Sequence, residues 1–441
     1  RAARRRRWPM TVSPLLAAIQ FRTGTDYGYP GDMMALFDAD GIPDGTINER
    51  LLAWINMKLG TSYDEINGAM AAYAARLNTI GFYNIPGFYS DALQMVGIDQ
   101  NVAAFSFNDN SMIVRDSLTP DNNYDGFLDG KLTFSRASAK NVWSGSVMNS
   151  VGVDQLAYEN DPVTGEFRGV LLEPARTNLL LNSTSLSTQG VTVTAQSYAL
   201  SFYGTGTVTL SGASTAGPLV GTGDLQRVTL VFTPAAGTLT LTVTGTVTYA
   251  QLEAGGGPSS WITTTGAAAT RATDFLTFPT SMLPWNDNAF TAMVEFSLPY
   301  NNSNAAAGTL GLTISDNVAA PQNNHRLRVS QLGGNGKPVG ITAVANAVTL
   351  SASSTLWSTA ANTMRRFAYA AQANDANAAC EGITATPLIS GAMPTGMTTV
   401  RLGGFIATGT TGSEPVHIRK VAIWCGQRKP DGALQSMSLV P

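Results

Sequence analysis

VTVTAQSYALSFYG (residues 191–204) alternates apolar and polar side chains, and GTLTLTVTGTVTYAQLEAG (237–255) does the same. A period of two sends one set of side chains to one face of a strand and the other set to the opposite face. Between them stand TVTLSG (207–212) and QRVTLVFTP (226–234), separated by Gly, Pro and Ser-rich turns. Short alternating runs broken by turn signals about every ten residues are the pattern of a β-sandwich. The segment 186–274 is therefore expected to be one such sandwich.

The same reading extends downstream. AFTAMVEFSL (289–298), GTLGLTIS (308–315), HRLRVSQL (325–332), VGITAVA (339–345), RRFAYAAQ (365–372), TTVRLGGF (398–405) and VHIRKVAIW (416–424) make a second β series, so 275–441 is expected to be a second, larger sandwich. It ends in PDGALQSMS (430–438), which reads as a helical turn. Upstream, KLTFSRAS (131–138) alternates, and 101–185 reads as an extended β connector. Earlier still, Ile47, Leu51, Ile55 and Leu59 stand four apart, and Ile66, Met70, Tyr73, Leu77 and Ile80 follow in alternating steps of four and three. These are stripes of helices, the second preceded by Ser62 and Glu65 in capping-box relation. A third short helix is expected at 90–96. The fold class is mainly β: a small N-terminal α-helical region (1–100) followed by two β-sandwich, jelly-roll domains.

Composition narrows the function. Of 441 residues, 44% are hydrophobic and only 13% charged, so Thr, Ser, Asn and Gly carry the surface. The net charge of -3 gives no general attraction to nucleic acid, and no apolar run reaches membrane-spanning length. RAARRRRWPM places five arginines in the first seven residues without the apolar core of a signal peptide. It reads as a solvated tail before an ordinary start at Met10. Two histidines, His325 and His417, are too few for a His-based metal or acid–base site. Cys380 and Cys425 lack zinc spacing; they are either bridged to each other or two buried thiols.

DPVTGEFRGVLLEPARTNLLLNST (161–184) holds turn chemistry, then an apolar run interrupted at Glu173-Pro174. Pro174 restricts Glu173 to extended backbone and removes a donor. Arg176 suits carboxylate or carbonyl oxygens, and Leu179–Leu181 are expected to be buried. Glu166 and Glu173 as a glycosidase pair is the catalytic alternative. The chain has neither an ExDxE strand pattern nor a GxSxG elbow, so no enzyme activity is expected. DNNYDGFLD (121–129) sets Asp121, Asn123, Asp125 and Asp129 at positions 1, 3, 5 and 9 of a calcium loop with Gly126 at 6, but Leu132 stands at 12 where a bidentate Glu belongs. A polar turn is the competing reading, and no other cofactor is implied. For sugars, the candidates are Trp285, Tyr300 and Trp357 near strand ends, with Asn301 and Asn302 beside Tyr300: rings stack on C–H faces and amides pair with hydroxyls. Trp143, Trp261 and Trp424 read as core or interface residues.

LTFSRASA (132–139), GVLLEPARTNLLLNS (169–183) and VTYAQLEAG…SSWITTTGAAATRATD (247–274) together resemble a modular family of bacteriophage virion proteins: tail fibres, head fibres and spikes. The third stretch looks like the end of a carbohydrate-binding-module-like sandwich. RRFAYAA…ACEG and RLGGF…GSEPVHIRKVAIWCGQRKPDGALQSMS look like a concanavalin A-like, laminin-G-like lectin domain. The resemblance covers about residues 130–441 and implies a structural virion component, assembled in a bacterial host, that binds host-surface polysaccharide during adsorption. It further implies docking to phage structural proteins through residues 1–100 and a homo-oligomer, most simply a trimer. A purely structural fibre or decoration protein and a polysaccharide depolymerase are the alternatives.

Overall fold

The computed structural model describes residues 50, 53, 95, 99, 101–115, 124–128, 130–300, 309–318, 322–330, 337–353, 361–386, 390–404 and 414–439. The described chain is mainly β. The helices expected over 46–59, 62–80 and 90–96 fall almost wholly outside those residues; Arg50, Ala53 and Met95 are helical.

Two compact units form. In the first, β1 (Val102–Ser106) and β2 (Ser111–Arg115) make an antiparallel hairpin, and β3 (Tyr124–Phe127) extends it from β2. On its other edge β1 pairs with residues 420–424. β1 is buried along its length, which is why it reads as an unbroken apolar run, VAAFS, rather than an alternation. Of the calcium-loop residues, Asp125 and Gly126 lie in β3, opposite Ile113 and Met112; Asp121, Asn123 and Asp129 lie outside the described residues.

The second unit begins with β4 (Thr133–Ser135) and the hairpin β5 (Lys140–Ser144)/β6 (Val147–Val151). β7 (Tyr158–Asn160), β8 (Phe167–Leu172) and β9 (Arg176–Asn178) follow. The turn 161–166 behaves as its sequence suggests: Asp161 Oδ1 accepts from the amides of Val163 and Thr164, and Gly165 takes φ +75°.

The first sandwich packs two sheets. β10 (Gln189–Val193), β12 (Thr207–Gly212), β13 (Leu219–Val220) and β15 (Gly237–Thr244) run in the order β10-β15-β12-β13. The facing sheet is β14-β11-β16, from β11 (Tyr198–Gly204), β14 (Gly223–Phe232) and β16 (Thr248–Ala254). Leu200, Phe202, Val208, Leu210, Leu239, Leu241, Ala250 and Leu252 fill the space between them. These are the apolar halves of the alternating runs. β17 (Ala269–Arg271) then pairs with β9.

The C-terminal sandwich uses β18 (Phe275–Pro279), β19 (Ala289–Ser297), β20 (Thr309–Ser315), β21 (Asn324–Ser330), β22 (Lys337–Val344), β23 (Ala347–Ser353), β24 (Arg365–Gln372), β25 (Asp375–Cys380), β26 (Ile383–Thr384), β27 (Thr399–Leu402) and β28 (Val416–Cys425). One sheet runs β23-β22-β21-β20-β27-β18-β4, and β19, β24, β25 and β26 are neighbours in another. The Phe290 ring lies 4.3 Å from His325 and 5.7 Å from Tyr369 across the interior. Tyr369 fits because Gly340 lacks a Cβ, which would approach its ring to 2.0 Å. Helix α1 (Asp431–Ser438) closes the chain where PDGALQSMS predicts a helical turn. Cys380 and Cys425 are both buried free thiols, so the bridge is not formed.

Segments that read as a connector are completed by distant chain. β4 pairs with β18, and residues 170–172 of β8 pair with 416–418. β4 and β8 thus each pair with a strand more than a hundred residues away.

Candidate functional site

The stretch 169–183 is a structural junction. Glu173 is fully buried and is held by Lys140 Nζ at 2.8 Å and Arg271 Nη1 at 2.9 Å. The amide and hydroxyl of Ser260 each donate to it at 2.7 Å. Asp274, also fully buried, takes Lys140 Nζ at 2.7 Å and Arg136 Nη1 at 3.1 Å. Burial alone would raise the Glu173 carboxyl; Arg271 and Lys140 overcome it and hold the group well below the ordinary carboxylate range. Three cations and two carboxylates therefore form one dry cluster drawn from three segments of chain. Further donors of the cluster go to backbone: Arg136 Nη2 bonds Gly152 O at 2.7 Å, Lys140 Nζ bonds Leu171 O at 2.6 Å, and Arg271 Nη2 bonds Pro174 O at 2.5 Å.

Asn178 continues the junction. Its Nδ2 donates to Ala250 O and Ile262 O, and its Oδ1 accepts from the amides of Leu180 and Leu252. All four hydrogen bonds available to the amide are made inside the fold. Arg176 binds Glu414 at 2.7 Å and lies 3.9 Å from Glu253, both in the same chain. Burial pushes the Glu414 carboxyl up against the pull of Arg176. Leu180 is fully buried, whereas Leu181 is 38% exposed, which corrects the expectation that 179–181 are buried throughout.

The polar half of the alternation in β14-β11-β16 faces away from the apolar core, and it is not a bare surface. Ser201, Tyr203, Gln251 and Glu253 on that face are all buried. Trp143, from β5, donates its indole N–H to the Tyr203 hydroxyl at 2.8 Å. Trp143, Tyr203, Tyr249 and Trp261 stack edge to face at centroid distances of 4.7 to 6.2 Å. Glu253 is fixed by the amide and hydroxyl of Ser259, both at 2.7 Å.

Against this face lies a cavity of about 520 Å³. Trp143, Tyr203 and Tyr300 give it aromatic walls; Glu159, Asp161, Arg168, Arg227 and Thr229 are among its polar ones. Its volume lies within the range of small-ligand pockets. Each lining carboxylate is engaged: Glu159 with His417 Nε2 at 2.6 Å, Asp161 with Arg168 at 2.5 Å, and Glu173 in the cluster above. His325, the second histidine, is elsewhere in the core, and burial holds its pKa down to about 3.

Of the residues singled out for sugar binding, Tyr300 lines this cavity and Trp285, the other one among the described residues, does not. Tyr300 is 9% exposed, its hydroxyl donates to Glu414, and its ring covers Gly257, where a Cβ would come within 2.2 Å. Trp285 is half-buried in the segment before β19. Asn301, Asn302 and Trp357 lie outside the described residues. Trp143, Trp261 and Trp424 are buried, as their readings as core residues require. The sequence reading missed Tyr203, Arg227, Asp161 and Arg168. For Tyr203 and Arg227 the signal was there: β11 and β14 place Tyr and Arg, not only Thr and Ser, at the polar positions of the alternation.

No family model and no curated protein sequence matches the chain. Among solved structures, it is similar to the Ruminococcus gnavus IT-sialidase CBM40 bound to α2,3-sialyllactose, at 14% identity and a TM-score of 0.29, over 35% of this chain and 83% of that one. It is also similar to the NanB sialidase of Streptococcus pneumoniae, at 14% identity and a TM-score of 0.28, over 37% of this chain and 26% of that one. A third is a Trypanosoma rangeli sialidase, at 11% identity and 0.27, over 37% and 25%. Likenesses this faint carry no argument about function.

Proposed function

We propose that this protein is a structural component of a bacteriophage virion, a tail or head fibre or spike, that binds host-surface glycan through the cavity beside β14-β11-β16. The observation that carries the binding reading is the make-up of the cavity: aromatic rings and side-chain donors and acceptors, held in place by hydrogen bonds to the fold and gathered around about 520 Å³. Rings meet the C–H face of a pyranose, and fixed polar groups pair with its hydroxyls. Pre-set side chains lose little entropy on binding. The virion assignment rests on the four sequence blocks that resemble phage fibre proteins. Docking through residues 1–100 and a trimeric state belong to the same reading, and several copies on one particle would turn weak single sites into firm adhesion.

The same reading takes the protein as a binder rather than a hydrolase, and the pairing of the cavity's carboxylates supports it. Glu173 is locked between Lys140 and Arg271 with no exposed surface, and Glu159 and Asp161 are each paired. None stands ready as the free acid of a glycosidase pair.

A glycan array probed with purified protein tests the binding reading. Thr229 lines the cavity and is exposed, so Thr229→Trp should fill the space without disturbing the core. The expected result is a defined set of bound host glycans that Thr229→Trp abolishes. An array with no bound glycan, or binding that Thr229→Trp leaves intact, overturns the assignment to this cavity.

A further inference from the structure

The cavity's charges are not evenly matched. Its three carboxylates each have a partner within 3 Å: His417 for Glu159, Arg168 for Asp161, Lys140 and Arg271 for Glu173. Arg227 is different. Its Nη1 donates to Ser259 O at 2.6 Å and its Nη2 to Ser201 Oγ at 2.8 Å, both neutral acceptors. Among the described residues no carboxylate lies within ion-pair distance of it, and its Nε is buried without a hydrogen-bond partner. Arg227 as a whole is half-buried and lines the cavity, its guanidinium carbon 6.0 Å from the Tyr203 ring centroid.

The strand explains the placement. Val228 and Leu230 of β14 pack toward the apolar core, so Arg227 and Thr229 fall on the opposite face, next to Ser201 and Tyr203 of β11. Two hydrogen bonds to fixed acceptors hold the side chain in one place. A guanidinium carries five donors, and here two are spent on neutral oxygens. A charge held out of bulk water without a counter-charge is costly, and the group that relieves it best is an oxyanion taken bidentately.

We infer that the cavity selects an acidic sugar, its oxyanion seated on Arg227 and its ring against the aromatic walls. The oxyanion is a carboxylate, as in uronic and ulosonic acids, or a phosphate ester. This inference rests on the glycan-binding reading above and narrows it to one ligand class. Neutral sugars would fill the space but leave the guanidinium uncompensated.

The test is calorimetric titration of the intact protein with digalacturonate, its dimethyl ester, N-acetylneuraminic acid methyl glycoside and glucose 6-phosphate. At least one acid should bind, and esterifying the carboxylate should weaken it about 10- to 100-fold, the range of a charged hydrogen-bonded contact. Preference for the phosphate over both carboxylates would assign the oxyanion as phosphate. Arg227→Gln should bring the acid down to the level of its neutral counterpart, and Arg227→Lys should keep part of the difference. If Arg227→Gln does not fold, the acid-against-ester comparison on the unaltered protein decides by itself. Equal binding of acid and ester, blocked by Thr229→Trp, overturns the inference and leaves the glycan site standing. Neutral glycans bound on the array with none of these acids bound has the same meaning. No binding of any sugar, acidic or neutral, removes both.

Discussion

At β11 and β16 the two faces of the β14-β11-β16 sheet are both buried, and they are buried by different physics. Toward the first sandwich, Leu200, Phe202, Leu252 and Ala250 pack as an apolar core. On the other side, Ser201, Tyr203, Gln251 and Glu253 are as deeply covered, yet they are held by directed hydrogen bonds to Ser259, Trp143 and one another. An apolar face tolerates substitution of similar volume, because its stabilisation scales with area. A polar buried face tolerates little, because each removed partner strands another group. The same alternation thus writes a tolerant face and an intolerant one, and the 520 Å³ cavity adjoins the intolerant one.

The sharpest way to break this contrast is at the ionic cluster that anchors the polar side. Glu173→Ala leaves Lys140 and Arg271 buried without their shared carboxylate and should cost about 3–5 kcal/mol. Leu252→Ala on the apolar face should cost about 2–5 kcal/mol through lost burial and a cavity. Urea unfolding of the two variants measures both, and a Glu173→Ala loss below about 1 kcal/mol would mean the polar face adds no stability.

Next in size, Asn178→Ala removes four hydrogen bonds and should lose about 1–3 kcal/mol for the orphaned backbone groups. Asn178→Asp should not rescue it, since a carboxylate cannot donate to Ala250 O and Ile262 O. Unfolding curves for the two variants should therefore both move to lower urea.

Acid should weaken the polar side and spare the apolar one. The folded Glu173 carboxyl lies below its unfolded value of 4.5, so the unfolded chain takes up the proton first as pH falls. Its contribution is full above that value and drains away below it, toward the depressed folded value, at about 1.4 kcal/mol per pH unit. Stability measured from pH 6 to 3 should fall less steeply in Glu173→Gln than in the unaltered protein, starting from a lower plateau.

The smallest effect is expected at Arg227. Its two bonds go to neutral acceptors and it is only half-buried, so Arg227→Gln should change stability by about 1 kcal/mol or less. A thermal shift as large as that of Asn178→Ala would make Arg227 a structural residue rather than a binding one.

These contrasts also show what the sequence could and could not reveal. The strands of 191–255 were legible because alternation is a local signal, and PDGALQSMS was legible as a helical turn for the same reason. LTFSRASA, EPARTN and ATRATD were each recognisable as blocks, but not as neighbours. Arg136, Glu173 and Asp274 come from those three blocks and meet in one cluster, a relation that spans 138 residues between Arg136 and Asp274. Long-range pairing leaves no periodicity to read. The burial of Tyr300 was hidden for a related reason: Gly257 and Glu414, which hold its ring and hydroxyl, lie far from it in sequence. Arg227 stood in plain view, but a charged residue in an alternating strand is ordinarily solvated, and only the covering of that face gives it meaning.

The pairing of residues 170–172 with 416–418 has a consequence for how the protein is made. During synthesis β8 emerges some 240 residues ahead of the strand that completes it. At ribosomal speeds of about 5–20 residues per second, its edge stays open for roughly ten seconds or more. Through that interval VLL at 170–172 is an apolar edge beside other nascent copies, the situation in which strands pair with the wrong chain. Production of the protein should therefore be sensitive to the crowding of ribosomes on its message.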